Sequence, residues 1–345
     1  MKNKICGNFL FDTGWSGITL DSMFCDINSL NYKTIDIEGR GVGNSTMTFK
    51  LIADTIYFEF SNKEFGFSST TTMVDLKGML DKKVDGITGI QTFAQKPYLI
   101  DYISQKIIFI DSVKGYKSIN AHFEDNRIYL PLSITLKNGK MIQGKFLLDT
   151  GSTRTFFNSH VYNTDGIYNS NNKKKVFTKG GVGGNSNGYF LPVSAVELGE
   201  FKLKNLITTV STDTLGMLAN SHYMGIIGND VLDDFHIIFD HQKEKVWVKP
   251  NKNFNKNERK LYRGVSFYDA GKKWYVAGIV EDTEAYRKGI RMDDEILEVN
   301  NIPVENIDLD HFVDKLRAND VLNLKVKQGD EEKEIKFKLN VFIKS

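Results

Sequence analysis

The stretch Phe9-Leu10-Phe11-Asp12-Thr13-Gly14 returns as Phe146-Leu147-Leu148-Asp149-Thr150-Gly151, 137 residues further along a chain of 345. Each run of three apolar residues reads as a buried strand that delivers a carboxylate to a turn, and the glycine lets the backbone turn tightly behind it. A single Asp-Thr-Gly would arise by chance in roughly a tenth or fewer of chains this long. Here there are two with matched lead-ins, and further landmarks keep step. Gly41-Val42-Gly43 matches Gly181-Val182-Gly183 at an offset of 140, and Gly86-Ile87-Thr88-Gly89 matches Gly225-Ile226-Ile227-Gly228 at 139, as Ile100-Asp101 does Phe239-Asp240. Two units are too few for a solenoid, so the expectation is two similar β lobes facing each other across a pseudo-twofold axis.

Composition agrees with a mainly β chain. Short runs rich in Val, Ile, Phe and Tyr alternate with Gly, Asn and Asp clusters, as in Phe49–Phe60, Lys106–Ile110, Ile128–Leu136 and Lys245–Val248, and there are 29 Gly but only 5 Pro. The length suits two or three compact units. The offset of 137 leaves the strand-like Arg127–Lys137 without a counterpart, because Met1 falls opposite Asn138. Lobe one is therefore expected to lack its first strand. An uncovered strand edge is an association hazard, which favours the chain as given having lost an N-terminal segment.

Several function classes recede. Lys and Arg number 45 against 43 Asp and Glu, and the only dense basic run is Lys173, Lys174 and Lys175, so nothing points to nucleic acid. Two cysteines, Cys6 and Cys25, cannot build a disulfide framework or a four-thiolate site, although they could pair in an oxidising compartment. The histidines lack metal-ligand spacing, and His236 and His241 read as strand or turn positions, so no metal or other cofactor is expected. No apolar run is long enough for a membrane span, and the N-terminus reaches Asp12 before a secretory core could form.

If the pseudo-twofold brings the two turns together, Asp12 and Asp149 share one proton, because two adjacent carboxylates cannot both ionise. Such a pair can activate water with one member while the other donates to a carbonyl, which is general acid–base hydrolysis of an amide. Thr13 and Thr150 are expected to hydrogen-bond across the axis. On these motifs, residues 8–249 resemble the retropepsin-like aspartic proteases in a single-chain, two-lobed bacterial form. The resemblance implies that Asp12 and Asp149 are the catalytic dyad, supported by Thr13, Gly14, Thr150, Gly151 and Ser152. It implies that Gly41, Val42, Gly43 and Gly181, Val182, Gly183, the latter within Gly180–Gly184, are the tips of two flaps, and that Gly225–Gly228 and the looser Val84–Gly89 pack behind the catalytic loops. Trp15, where a small residue is usual, would crowd the cleft or form a substrate pocket, and Thr88 breaks an apolar pair. The family also implies an extracytoplasmic location.

Pro250–Glu258 is polar and reads as a linker. Beyond it, Trp274–Val280, Gly289, the segment Asp294–Asn300 and an amphipathic helix over Asp308–Leu316, with Leu309, Phe312, Val313 and Leu316 on one face, resemble a PDZ domain in the bacterial strand order. That resemblance implies a carboxylate-binding loop at Gly264, Val265, Ser266 and Phe267, where a protein C-terminus would add a strand. The expected units are thus lobe one over residues 1–111, lobe two over 127–250, and a PDZ domain over 264–342. The function implied is an aspartic endopeptidase acting on peptide or unfolded protein. The rival from another class is a catalytically inactive peptide-binding protein of the same fold, and a third reading is a structural β protein with a scaffolding module.

Overall fold

A computed structural model describes residues 5–43, 45–60, 65–77, 79–80, 83–162, 174–179, 181–204, 206–256, 263–270, 273–317 and 319–340. Met1, Lys173, Gly180, Asn257 and Glu258, named above, lie outside the described residues, as do 341 and 342.

The chain is mainly β, and the repeat seen in the sequence is a repeat of topology. In lobe one a six-stranded sheet runs in the order Phe9–Phe11, Gly86–Thr88, Ile18–Asp21, Thr71–Val74, Thr46–Ile52, Thr34–Arg40. In lobe two the order is Met141–Leu148, Gly225–Ile227, Phe156–Phe157, Ile207–Ser211, Asn185–Leu198, Lys175–Lys179. The senses also agree: in both lobes the first pair is parallel, the second antiparallel, the third parallel, and the last two antiparallel.

The pseudo-twofold axis can be located from the register. A five-stranded sheet joins the lobes, with the hairpin Tyr98–Asp101/Lys106–Phe109 of lobe one beside the hairpin Phe235–Asp240/Lys245–Pro250 of lobe two, and Lys117–Ile119 at the far edge. Across the junction Tyr98 pairs with Phe239, Leu99 with Ile238 and Ile100 with Ile237. Shifting the first pair by the repeat offset of 139 converts it into the third, so the axis passes through Leu99 and Ile238. The largest core spans this junction: Ile90, Phe93, Tyr98 and Ile100 pack with Phe146, Phe157, Phe235 and Phe239 of lobe two.

The lobes differ where the repeat fails. Arg127–Leu136 pairs with Met141–Leu148 on one side and with Asn185–Leu198 on the other, closing lobe two on itself. In lobe one the equivalent strand Phe9–Phe11 is an edge among the described residues. Phe49–Phe60 is not one strand but two, Thr46–Ile52 and Ile56–Phe60, because the Ala53-Asp54 pair makes a bend. Cys6 is exposed and Cys25 buried, and neither is in a disulfide. His236 sits in a strand beside Asp101, and His241 stacks on Tyr98 in the turn that follows.

The segment after lobe two is not a free linker over its first part. Asn251 and Asn253 donate to the Asp233 carbonyl, Asn255 donates to the Lys202 carbonyl, and the Phe254 ring packs on Phe201 and Phe235. Polarity suggested nothing to bury, but asparagine amides satisfy backbone carbonyls and one aromatic ring anchors the turn. The C-terminal module follows. Val265–Asp269, Trp274–Val280, Glu295–Val299, Val321–Gln328 and Glu331–Lys338 form its sheet around Trp274, Val276, Ile296, Leu324 and Phe337. Its helix Leu309–Lys315 starts at Asp308, whose carboxylate accepts from the His311 N–H at 2.9 Å. This sheet does not end at the module: Val176, Phe177 and Thr178 of lobe two pair antiparallel with Val280, Ile279 and Gly278.

Candidate active site

The two Asp-Thr-Gly turns meet at the axis, and each is built from both lobes. Strand pairing delivers the carboxylates: the Asp12 N–H donates to Thr88 O at 3.0 Å and the Asp149 N–H to Ile227 O at 3.1 Å. The threonines then interlock. Thr13 N–H donates to Thr150 Oγ1 (3.1 Å) and Thr150 N–H to Thr13 Oγ1 (2.9 Å), while each hydroxyl donates to the other lobe's strand, Thr13 to Leu148 O and Thr150 to Phe11 O, both at 2.8 Å. These bonds are reciprocal, so neither turn can shift without the other.

Gly14 and Gly151 are needed for close approach. A Cβ on Gly14 would lie 2.7 Å from Asp149 Cγ, and one on Gly151 would lie 2.5 Å from Asp12 Cγ. Each glycine thus vacates the volume taken by the opposite carboxyl. Asp12 accepts from the Gly14 N–H at 2.8 Å, and Asp149 accepts from the Gly151 and Ser152 N–H groups at 2.9 and 3.0 Å. The two carboxyls also hydrogen-bond each other.

Electrostatics separate the pair. Burial pushes both carboxyls up. Asp149 stands well above the ordinary carboxylate value, because burial and then the Asp12 charge both oppose its ionisation. Asp12 is also raised by burial, but bonds from Asp149 and from the Gly14 and Trp15 N–H groups, and the Arg127 charge, pull it back. The pair therefore holds one proton between its two carboxyls, with ionisation opposed more strongly at Asp149 than at Asp12. Arg127, which sequence reading did not single out, donates from Nε to Gly14 O at 3.4 Å. It opens a strand that has no counterpart in lobe one among the described residues, so it had no repeat partner to draw attention to it.

A cavity of about 380 Å³ opens over the dyad, walled by Leu10, Trp15, Ile87, Val182, Phe156 and Met217 among others. The glycine tips roof it. Val42 N–H donates to Val182 O at 2.9 Å and Ser45 N–H to Gly183 O at 3.1 Å, while Gly41 O accepts from the Met217 N–H at 3.1 Å. A Cβ on Gly41 or Gly43 would overlap the carbonyl of Val182 or Gly183, so the contact is open only to glycine. Trp15 does not crowd the dyad. Its ring packs on Phe49, its Nε1 donates to Thr19 Oγ1 at 3.1 Å, and one side lines the cavity. Thr88 is buried, but its hydroxyl hydrogen-bonds that of Thr92, so the polar atom in the apolar pair is satisfied.

In the C-terminal module, Gly264 has φ +75° and its carbonyl accepts from the Val280 N–H. Val265 is buried, Ser266 exposed, and Phe267 packs on the core. Val265–Asp269 pairs with Trp274–Val280 on one side, and the helix Leu309–Lys315 packs beside it. Among the described residues no group of His, Cys, Asp and Glu is arranged to hold a metal ion, and no helix is long and apolar enough to cross a membrane.

Comparison with known proteins separates the two parts of the chain. Residues 275–328 match the family model for the PDZ domain, and the chain carries a PDZ domain there. No curated protein matches the chain. Among solved structures it is similar to a retropepsin-like aspartic protease from Rickettsia conorii, with 16% identity and a TM-score of 0.24 over 41% of this chain and 96% of that chain. A likeness of that size says nothing about this chain's chemistry, which stands on the geometry above.

Proposed function

We propose that the protein is an aspartic endopeptidase with catalytic residues Asp12 and Asp149. The observation that carries this reading is the crosswise construction of the dyad: two carboxyls held in hydrogen-bond contact by reciprocal threonine bonds, each in space left by the opposite glycine, under a glycine-tipped roof. In the reaction, a water between the carboxyls gives a proton to Asp12 and attacks the scissile carbonyl carbon, while Asp149 gives its proton to the carbonyl oxygen. The neutral tetrahedral diol that results collapses when a hydroxyl proton returns to the Asp149 side and Asp12 gives its proton to the amide nitrogen. The C–N bond breaks, and the dyad is left with its one proton.

The units of this reading are lobe one to residue 111, lobe two over 127–250 and a PDZ domain over 264–342. The last offers Gly264–Phe267 and the neighbouring groove to a substrate C-terminus. An extracytoplasmic site of action belongs to the same proposal, and cell fractionation with a tagged chain tests it. The main test is cleavage of an unbiased peptide pool from about pH 3 to 8, read by mass spectrometry, for wild type, Asp12→Asn and Asp149→Asn. Cleavage lost in both variants with the fold retained supports the dyad. Unchanged cleavage in pure material sinks it, and peptide binding without cleavage by wild type supports the peptide-binding rival.

A further inference from the structure

The PDZ domain is joined to the protease unit at the cleft itself. Its strand Trp274–Val280 continues the sheet of the lobe-two flap through Val176, Phe177 and Thr178, and the Glu281 N–H donates to Lys175 O at 2.9 Å. Phe177, from the flap, packs against the PDZ core. On the other side of the cleft, Lys83 of lobe one reaches Asp310 on the PDZ helix at 3.5 Å. The bridge is exposed and weak, but it shows that the domain reaches both lobes. Between these contacts, two PDZ residues line the same cavity as Asp12 and Asp149: Tyr268 and Ala277, next to Thr178 of the flap.

Their position follows from strand alternation. Trp274 and Val276 point into the PDZ core, so Tyr275 and Ala277 face the other way, and Tyr268 pairs with Tyr275 on that outer face. The Tyr268 ring stacks on Tyr275, with centroids 5.3 Å apart and planes at 23°, so it stands as a braced, half-buried aromatic surface at the cleft. The neighbouring cavity wall is apolar, with Leu80, Val84, Met217 and Leu218. A braced aromatic surface among aliphatic side chains suits a bulky apolar side chain of an extended peptide.

We propose that the PDZ domain forms part of the substrate cleft, and that Tyr268 is a specificity-determining residue that receives a bulky apolar side chain of the substrate. The role differs from capture of a distant C-terminus, and it rests on the peptidase reading above. The test uses the full chain and a pool of C-terminally amidated peptides, which removes docking of a free carboxylate in the PDZ groove. Tyr268→Ala should lower kcat/KM about tenfold for peptides with an aromatic or large aliphatic residue at one position on one side of the cut bond. Peptides with a small residue there should change less, and Tyr268→Phe should keep the wild-type profile. Ala277→Leu, which fills the cleft from the same wall, should select against the same bulky residues and serves if Tyr268→Ala does not fold. Unchanged cut-site profiles in the folded variants would overturn the proposal. If wild type cuts nothing, the peptidase reading fails, and the same pool is passed over immobilised wild type and the variants. A difference in the peptides retained then upholds the cleft assignment, whereas identical retention, or none, overturns it.

Discussion

The two flaps have the same strands in the same order, yet they are held differently. In lobe one the outer strand Thr34–Arg40 is the last of its sheet among the described residues, with Asp36, Glu38 and Arg40 exposed along it. In lobe two the outer strand Lys175–Lys179 lies inside a 15-stranded sheet, paired with the PDZ domain. The tips differ as well. Gly181, Gly183 and Gly184 have positive φ, while Gly41 and Gly43 do not and are required by close approach alone. A hairpin with one open edge and a charged outer strand has fewer contacts to break, so on the proposed peptidase reading the lobe-one flap is the one expected to open to peptide, with the lobe-two flap as the fixed side. Charges along that edge also discourage pairing with another chain.

The largest expected effect is where the lobes are alike. Asp12→Asn and Asp149→Asn should each lower kcat by about 10³-fold or more, measured by single-peptide kinetics, because the proton must be both taken and given. A large loss from one and a small loss from the other would break the symmetry. The pH profile sharpens the point: with the Asp149 carboxyl raised, the alkaline limb should lie above the ordinary carboxylate range. Stability has a defined sign. A raised folded-state pKa means the folded protein holds a proton the unfolded chain has released, so stability falls as pH rises from the unfolded value through the folded one. Asp149→Asn should therefore raise the Tm at neutral pH, read by calorimetry, while turnover is lost.

Gly14→Ala and Gly151→Ala come next. Each methyl would meet the opposite carboxyl group, and displacement of about 1 Å at a reacting group costs about 10²-fold in rate. Kinetics of the two variants should show similar losses in kcat. Hydrogen exchange then addresses the flaps directly: amides of 34–40 should exchange at least about tenfold faster than those of 175–179. Phe177→Asp, which places a charge against the PDZ core, should bring the second set towards the first; exchange at 175–179 unaltered by it would show that the PDZ contact does not hold the flap. The smallest effect concerns the supporting segments. Thr88→Val should cost about 1 kcal/mol in chemical denaturation by leaving Thr92 without its partner, and Ile227→Thr somewhat more, about 2 kcal/mol, by burying a hydroxyl in an apolar core.

Much of the site was legible because a repeat records symmetry in one dimension. A constant offset carries Leu99 onto Ile238, which is where the axis lies, and matched strands before Asp12 and Asp149 bring the turns to it. The threonine interlock could be expected from position alone. Arg127 could not, because it has no counterpart in the repeat and acts on Gly14, far from it in sequence; nor could Thr92, whose repeat counterpart is Val231, so that the pairing of its hydroxyl with that of Thr88 is peculiar to lobe one. The apparent linker misled for a related reason: its asparagines are polar in sequence but are spent on carbonyls of Asp233 and Lys202.

What the sequence alone determined is therefore the local and the repeated: strands by alternation, turns by glycine, and the meeting of two carboxylates by the equivalence of two segments. What only the tertiary structure decided is which edge each strand offers and what covers it. Val176 and Val280 are paired across about a hundred residues by the fit of two sheet edges, and Tyr268 reaches the cleft on the outer face of a strand whose pattern identifies only the inner one. Alternation tells inside from outside, but the partner on the outside is set by packing between domains.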